Sequence, residues 1–174
     1  MEIFAATPRL ILREIIPADE KGMFTLDADP EVHKYLGNQP VTSMEEVRSV
    51  IQFIRRQYVD NGIGRWAVIE KDTNLFLGWA GLKLITTPIH NRVNYYDLGY
   101  RLIKSCWGKG YATEAARAVR DYGFNRMGLP VIYGMTEVGN TGSRRVLEKT
   151  GLKYIESFEY EGLPHDFFGM TRPE

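Results

Sequence analysis

The sequence predicts one α/β or α+β domain folded around a single mixed β-sheet. Helical and strand patterns are interleaved in the order strand, helices, three strands, helix, strand, helix and two closing strands. The length of 174 residues is that of one domain. A chain of this size buries roughly 70% of its unfolded surface, so its core needs no metal or disulfide. We therefore expect a single domain over residues 1–174, with a core from about 8 to 170.

The first half of the chain predicts one strand followed by helices. The apolar run Leu10–Leu12 predicts the strand, and Asp19 and Asp29 each begin a short helix. A longer helix begins at Ser43, because Ser43 and Glu46 have the spacing of a capping box. Its apolar stripe recurs at helical spacing and consists of Met44, Val47, Ile51, Ile54 and Tyr58.

Seven strands are predicted in all, and the last two form a closing hairpin. They are Leu10–Leu12, Trp66–Ile69, Phe76–Leu84, Tyr95–Ile103, Val131–Val138, Leu152–Tyr160 and Asp166–Met170. A helix with an apolar stripe from Ala112 to Tyr122 follows the fourth strand directly. Another helix follows the fifth strand from Asn140 to Thr150, where Gly151 ends it.

Composition and charge argue against several classes of protein. Lys+Arg and Asp+Glu both total 22, so the chain lacks the basic excess typical of a nucleic-acid binder. No run of 18 apolar residues occurs, so we expect no membrane span. The single Cys106 cannot form an internal disulfide, which fits a cytoplasmic protein. His33, His90 and His165 are scattered without metal-ligand spacing, so no metal is expected.

The segment Trp107–Ala115 forms a glycine-containing turn between the fourth strand and its helix. The first amides of a helix have no intrahelical partner and carry partial positive charge. Gly108 and Gly110 lack a Cβ, so the backbone there can approach a bulky anion closely. The turn therefore favours a pyrophosphate held by backbone N–H groups. A plain strand-to-helix turn with two glycines is the alternative.

Three phosphate-binding motifs are alternatives at this turn. The Walker A motif is absent, because no Gly-Lys pair precedes Ser or Thr. The dinucleotide motif G-x-G-x-x-G has Thr113 at its third glycine and follows several strands instead of the first one. The acyl-CoA motif [Q/R]-x-x-G-x-[G/A] fits at Gly110 and Ala112, with Trp107 at its first position. Backbone binding of phosphate does not require the Gln or Arg side chain.

Six segments in order cover nearly the whole chain, from about Pro8 to Met170. They are Thr7–Arg13, Asp29–Val32, Asp97–Leu102, Trp107–Ala115, Asn140–Lys149 with Gly151–Leu152, and His165–Asp166. Each segment alone is weak evidence, but their order and spacing are specific. Together they resemble the GNAT superfamily and, within it, the RimJ/RimL-like N-acetyltransferases.

The resemblance implies a fold, a reaction and its reactants. The GNAT-like fold is a mixed, mostly antiparallel seven-stranded sheet with helices on both faces, splayed between strands 4 and 5. The reaction is direct attack of a primary amine on acetyl-CoA in a ternary complex, without a metal. The amine is a protein N-terminus or a small molecule, and the protein is a monomer or homodimer. The alternatives are a catalytically weak acyl-CoA-binding sensor and a dinucleotide-binding oxidoreductase domain.

The resemblance also assigns residues to the cosubstrate. Those expected around the pyrophosphate are Gly108, Lys109, Gly110, Tyr111, Ala112 and Thr113. The strand backbone at Leu102, Ile103 and Lys104 is expected to pair with pantetheine. Asn140 is expected both to cap its helix and to contact CoA.

Proton transfer is less closely specified by the resemblance. Ser143 would protonate the leaving thiolate, and Tyr154 is an alternative because other GNAT branches use a tyrosine. Asp97, Glu137 and Glu159 are the candidates for the base that deprotonates the amine, and the sequence does not choose among them. The acceptor pocket is expected between the early helices and the closing hairpin.

Overall fold

The computed structural model describes residues 1–174 as one sheet flanked by five α-helices. The strands are β1 Ile3–Ala6, β2 Leu10–Glu14, β3 Arg65–Glu70, β4 Phe76–Ile85, β5 Tyr95–Leu102, β6 Val131–Glu137, β7 Lys153–Tyr160 and β8 Leu163–Thr171. The helices are α1 Glu20–Asp27, α2 Pro30–His33, α3 Met44–Asn61, α4 Tyr111–Asn125 and α5 Thr141–Thr150. None of these helices combines the length and apolar character that crossing a membrane requires.

The sheet has eight strands in the order β1-β2-β3-β4-β5-β6-β8-β7. Every neighbouring pair is antiparallel except β5 and β6, which are parallel. The predicted mixed, mostly antiparallel sheet is confirmed, but the count of seven strands was wrong by one. The additional strand is β1, whose four residues pair with β2 at the sheet edge. The strands predicted as fourth and fifth are therefore β5 and β6.

Side-chain caps define the ends of the helices on which the site depends. The Ser43 hydroxyl accepts a hydrogen bond from the Glu46 N–H at 3.2 Å, which confirms the cap predicted for α3. The Asn140 amide oxygen accepts one from the Ser143 N–H at 3.2 Å and caps α5. These local bonds explain why both helices begin where the sequence predicts.

Helices cover both faces of the sheet, as predicted. On one face, α4 and α5 pack over a large core that includes Trp66, Leu98 and Phe168. On the opposite face, α1 to α3 pack over a smaller core that includes Val47 and Ala67. A third, aromatic cluster lies on this second face, beneath the loop between β4 and β5, and consists of Tyr95, Phe158 and Phe167.

The sheet splays open between its two parallel strands. Asp97 and Tyr133 form the single paired position between β5 and β6. Beyond it, β5 stays paired with β4 as far as Leu102, and β6 stays paired with β8 as far as Glu137. The two strands thus diverge toward their carboxyl ends and leave a wedge-shaped gap, at the place the sequence predicts.

Candidate active site

Backbone groups of β5 point into the gap. Ile103 donates its N–H to the Leu77 carbonyl of β4 at 2.9 Å. Because backbone direction alternates along an antiparallel strand, the N–H groups of Tyr100 and Leu102 and their carbonyls point away from β4. The Leu102 carbonyl accepts a hydrogen bond from the Trp107 indole at 2.9 Å, in agreement with this direction. The gap is therefore lined by hydrogen-bonding groups that β6 does not pair.

The backbone after Leu102 turns back on itself. Lys104 begins a 3₁₀ turn that ends at Cys106. The Ile103 carbonyl accepts the Cys106 N–H at 2.8 Å, and the Lys104 carbonyl accepts the Trp107 N–H at 3.1 Å. Leu102 directs its N–H into the gap, whereas Ile103 directs its N–H to β4. Contact of Leu102, Ile103 and Lys104 with pantetheine stays a prediction.

The turn before α4 presents uncapped amides at the carboxyl end of β5. Gly108 and Gly110 have φ angles of 73° and 80°, in the region that favours glycine. Gly110 is the N-cap of α4, and no side chain caps the N–H groups of the first turn. The amides of Tyr111, Ala112 and Thr113 are thus available to an anion, and the helix dipole favours negative charge there. These residues suit a pyrophosphate.

Arg9 adds a cation to this turn that sequence reasoning did not single out. Its guanidinium donates to the Lys109 carbonyl at 2.8 Å and lies 4.4 Å from the centre of the Tyr111 ring. Glu114 holds Arg9 through a 2.7 Å ion pair and also accepts from the Thr7 hydroxyl at 2.6 Å. Burial opposes ionisation of Glu114, but these hydrogen bonds lower the pKa of its carboxyl below the ordinary value. Arg9 stands in the Thr7–Arg13 segment that carries the family resemblance, but the sequence does not show that Glu114 is its partner.

Two hydroxyl groups meet at the start of α5, beside the gap. The Tyr100 hydroxyl donates to the Ser143 backbone carbonyl at 2.6 Å and lies 3.1 Å from the Ser143 hydroxyl. Burial raises the pKa of Tyr100 well above its ordinary value, so the phenol stays protonated. The structure thus places Ser143 next to Tyr100. The Tyr154 hydroxyl instead lies 2.9 Å from the Ser157 hydroxyl on β7.

A group of charged side chains, the polar strip, lies on the sheet face away from α4 and α5. It consists of Arg65, Lys83, Asp97 and Arg101. Arg65 crosses Gly99, where a Cβ would lie 2.7 Å from its guanidinium, and reaches the Asp97 carboxylate at 2.8 Å. Burial raises the pKa of Asp97, and the pairing with Arg65 opposes that rise. Asp97 is therefore committed to an ion pair across the strands.

At the other end of the polar strip, Arg101 is paired with the buried carboxylate of Asp27. Arg101 donates to Asp27 at 2.6 Å, and the His33 ring lies 3.4 Å from the same oxygen. The Asp27 side chain is only 4% exposed, so it depends on these partners. Burial, with the nearby positive charge of Arg101, lowers the pKa of His33 below its ordinary value. Arg101 and Arg65 each lie 5.1 Å from the Trp79 ring between them.

The three candidate bases occupy different environments. Glu159 alternates with Phe158 and Tyr160, whose side chains belong to the aromatic cluster, so Glu159 points to the opposite face. Asp97 is paired with Arg65. Glu137 ends β6 at the mouth of the gap, on the same face as the polar strip, and is half-buried. The structure thus brings Glu137 and Asp97 to one face of the sheet and leaves Glu159 on the opposite face, on β7.

Comparison with known proteins assigns the chain to a family. Residues 9–153 match the model of the acetyltransferase (GNAT) domain. The uncharacterized N-acetyltransferase YoaA of Bacillus subtilis is 31% identical over 173 residues, which cover 96% of each chain. The uncharacterized N-acetyltransferase p20 of Bacillus licheniformis is 33% identical over 92% of this chain and 85% of its own. This chain therefore belongs to the GNAT acetyltransferase family and is an acyltransferase.

A solved structure agrees with the fold. The ribosomal L7/L12 α-N-protein acetyltransferase RimL, in complex with coenzyme A, superposes with a TM-score of 0.82 at 20% identity and covers 98% of each chain. At this identity the likeness shows the fold alone. Use of acetyl-CoA to acetylate amines is general for the GNAT family.

Proposed function

We propose that this protein transfers the acetyl group of acetyl-CoA to a primary amine by direct attack within a ternary complex. The observation that carries the proposal is that three features meet at the carboxyl ends of β5 and β6. These are the splayed gap, the uncapped first turn of α4, and the hydroxyl pair of Tyr100 and Ser143. A thioester in the gap would lie between backbone donors on one side and hydroxyl groups on the other.

The cosubstrate would be held by the residues around the α4 turn and the gap. The amides of residues 111–113, with Arg9 and Lys109, would bind the pyrophosphate. Pantetheine would pair with the backbone of Tyr100 and with the N–H of Leu102, whose carbonyl accepts the Trp107 indole, as a peptide adds to a sheet edge. A backbone N–H there would also polarise the thioester carbonyl and stabilise the negative charge that develops on its oxygen.

The leaving thiolate would take its proton from Ser143. Tyr100 has one proton, and the 2.6 Å bond commits it to the Ser143 carbonyl. The Ser143 hydroxyl is therefore free to give its own proton to the sulfur, and, being half-buried, it would regain a proton from water. Tyr100 acts as a positioning residue, because it fixes the first turn of α5 against β5.

Glu137 is the carboxylate we propose as the base for the amine. Asp97 is neutralised by Arg65, whereas Glu137 lies at the mouth of the gap outside any ion pair. The helices α4 and α5 fill the opposite face, so an acceptor would approach on the face of the polar strip, between α1 to α3 and the closing hairpin. A protein N-terminus and a small amine both remain acceptors under this proposal.

Calorimetry and turnover test the proposal in sequence. We expect micromolar binding of acetyl-CoA and no binding of NAD to the folded protein. Release of free CoA thiol with a panel of amines then separates an enzyme from an acyl-CoA sensor. Absence of acetyl-CoA binding would refute the assignment, and binding without turnover on any amine would favour the sensor.

A further inference from the structure

The polar strip contains one cation that no carboxylate neutralises. Arg65 is paired with Asp97, and Arg101 is paired with Asp27. The Lys83 ammonium group instead lies 5.5 Å from the centre of the Phe53 ring on α3. Burial, together with repulsion from Arg65, lowers the pKa of Lys83, which Asp97 partly offsets. Lys83 is thus a half-buried cation on β4, one strand away from the gap.

The register of the sheet locates Lys83 relative to the reacting groups. Lys83, Asp97 and Tyr133 lie in one row across β4, β5 and β6. Gly99 borders the opening of the gap and lies two residues beyond Asp97 on β5, about 7 Å along the strand. Glu137 lies four residues beyond Tyr133 on β6 and faces the same side. Lys83 is therefore on the path of an acceptor but set back from the point of attack.

The two ends of this path carry opposite charges. Glu137 is a carboxylate outside any ion pair at the gap, and Lys83 is a cation outside any ion pair on β4, one strand away from the gap. A half-buried charge favours a ligand that neutralises it, and a charged pair fixes the ligand's orientation. Lys83 would instead repel an acceptor that carries a second positive charge.

Resting on the proposed function, we infer that the acceptor carries an anionic group several bonds from its amine, and that Lys83 binds this group. The amine enters the gap toward Glu137, and the anion rests at Lys83. A free α-amino acid places its carboxylate too close to its amine for this span. An ω-amino acid or a peptide with an acidic residue next to its N-terminus separates the two groups further.

Two matched series of acceptors test the charge preference and distinguish a small-molecule acceptor from a peptide acceptor. The small-molecule series is 4-aminobutanoate, its amide and 1,4-diaminobutane. The peptide series is Ala-Xaa-Ala amide with Glu, Gln or Lys at the central position. We expect kcat/KM for the anionic member of at least one series to exceed that of the neutral member about tenfold, mostly through KM. The cationic member should be the poorest.

Variants of Lys83 test whether this residue causes the preference for an anionic acceptor. In Lys83→Gln the anionic and neutral members should differ by less than about twofold, and in Lys83→Glu the cationic member should become the best. Lys153→Glu makes the same change of charge at an exposed lysine of β7 and should keep the wild-type order. Melting temperatures within a few degrees of wild type would show that all three variants fold.

The outcomes separate this inference from the proposed function. No acetylation of any amine in either series would refute the proposed function, and this inference with it. Acetylation without a preference for the anionic member would refute this inference alone. Persistence of the preference in Lys83→Gln would also refute it, because another group would then bind the anion.

Discussion

Replacing Gly110 with Asp tests the phosphate site at the α4 turn. The φ angle of 80° at Gly110 costs a side chain about 1–2 kcal/mol of folding free energy, less for Asp or Asn, which tolerate this region. The added Cβ would lie 3.4 Å from the Arg9 guanidinium, which is ordinary contact, so the fold should tolerate it. Asn at this position has the same shape as Asp without its charge. Comparison of the two variants therefore isolates the electrostatic effect.

The size of that effect follows from charge and exposure. Two unit charges about 5 Å apart repel by about 0.8 kcal/mol in water and about 3 kcal/mol at an effective dielectric of 20. Gly110 is exposed, so the aqueous end of this range applies, and a pyrophosphate carries about two charges. We expect Gly110→Asp to bind acetyl-CoA about 1.6 kcal/mol more weakly than Gly110→Asn, about fifteenfold in Kd. The difference should shrink at 1 M salt because of screening.

Isothermal titration of both variants with acetyl-CoA measures this difference. Gly128→Asp is the matched control, because Gly128 has a φ angle of 67° and open space around it beyond the end of α4. It should bind acetyl-CoA as the wild type does. Equal affinities in Gly110→Asp and Gly110→Asn, with both variants folded, would show that the anion does not bind at this turn.

Three further predictions concern the remaining parts of the site. Ser143→Ala should lower kcat about tenfold or more with an unchanged Kd for acetyl-CoA, and Tyr100→Phe should lower kcat less. Release of free CoA thiol measures kcat. If both variants keep the wild-type kcat, Ser143 has only a structural role. Arg101→Gln should destabilise the protein by about 3–5 kcal/mol in chemical denaturation, because Asp27 becomes an unpaired buried charge; a loss below about 1 kcal/mol would contradict this. The folded state holds the pKa of His33 below its unfolded value of about 6.5, so its contribution to stability is present above that pH and is lost as the pH falls toward the folded pKa. The melting temperature should therefore fall from pH 7 to 5 less steeply in His33→Gln than in the wild type, and parallel pH profiles would be the contrary result.

Local signals explain most of the agreement between sequence and fold. The caps of α3 and α5 use residues three positions apart, and the apolar stripes repeat every three or four residues. The glycines before α4 adopt positive φ, which their residue type permits. The strand β1 was missed because its four residues carry little periodicity of their own. Pairing with β2 stabilises it, and pairing is not a local property.

The candidate site was predictable in outline and not in its contacts. The turn at Gly108–Gly110 and the helix start at Asn140 are contiguous in the chain, so spacing identified them. The base could not be chosen, because the direction of Glu159 and the pairing of Asp97 depend on strand register. The partner of Ser143 is Tyr100, which lies 43 residues away in the chain. No sequence spacing predicts such a contact.

The sequence by itself determined the α/β class, the order of the elements after β1, the glycine-containing turn before α4 and the family. These depend on interactions between residues close in the chain, which residue type and spacing encode directly. Only the tertiary structure decided which charges neutralise one another and which stay free. Arg9 meets Glu114 across 105 residues, and Arg101 meets Asp27 across 74. Lys83 is left as the unneutralised cation because ion pairing depends on distances in space, which packing alone sets.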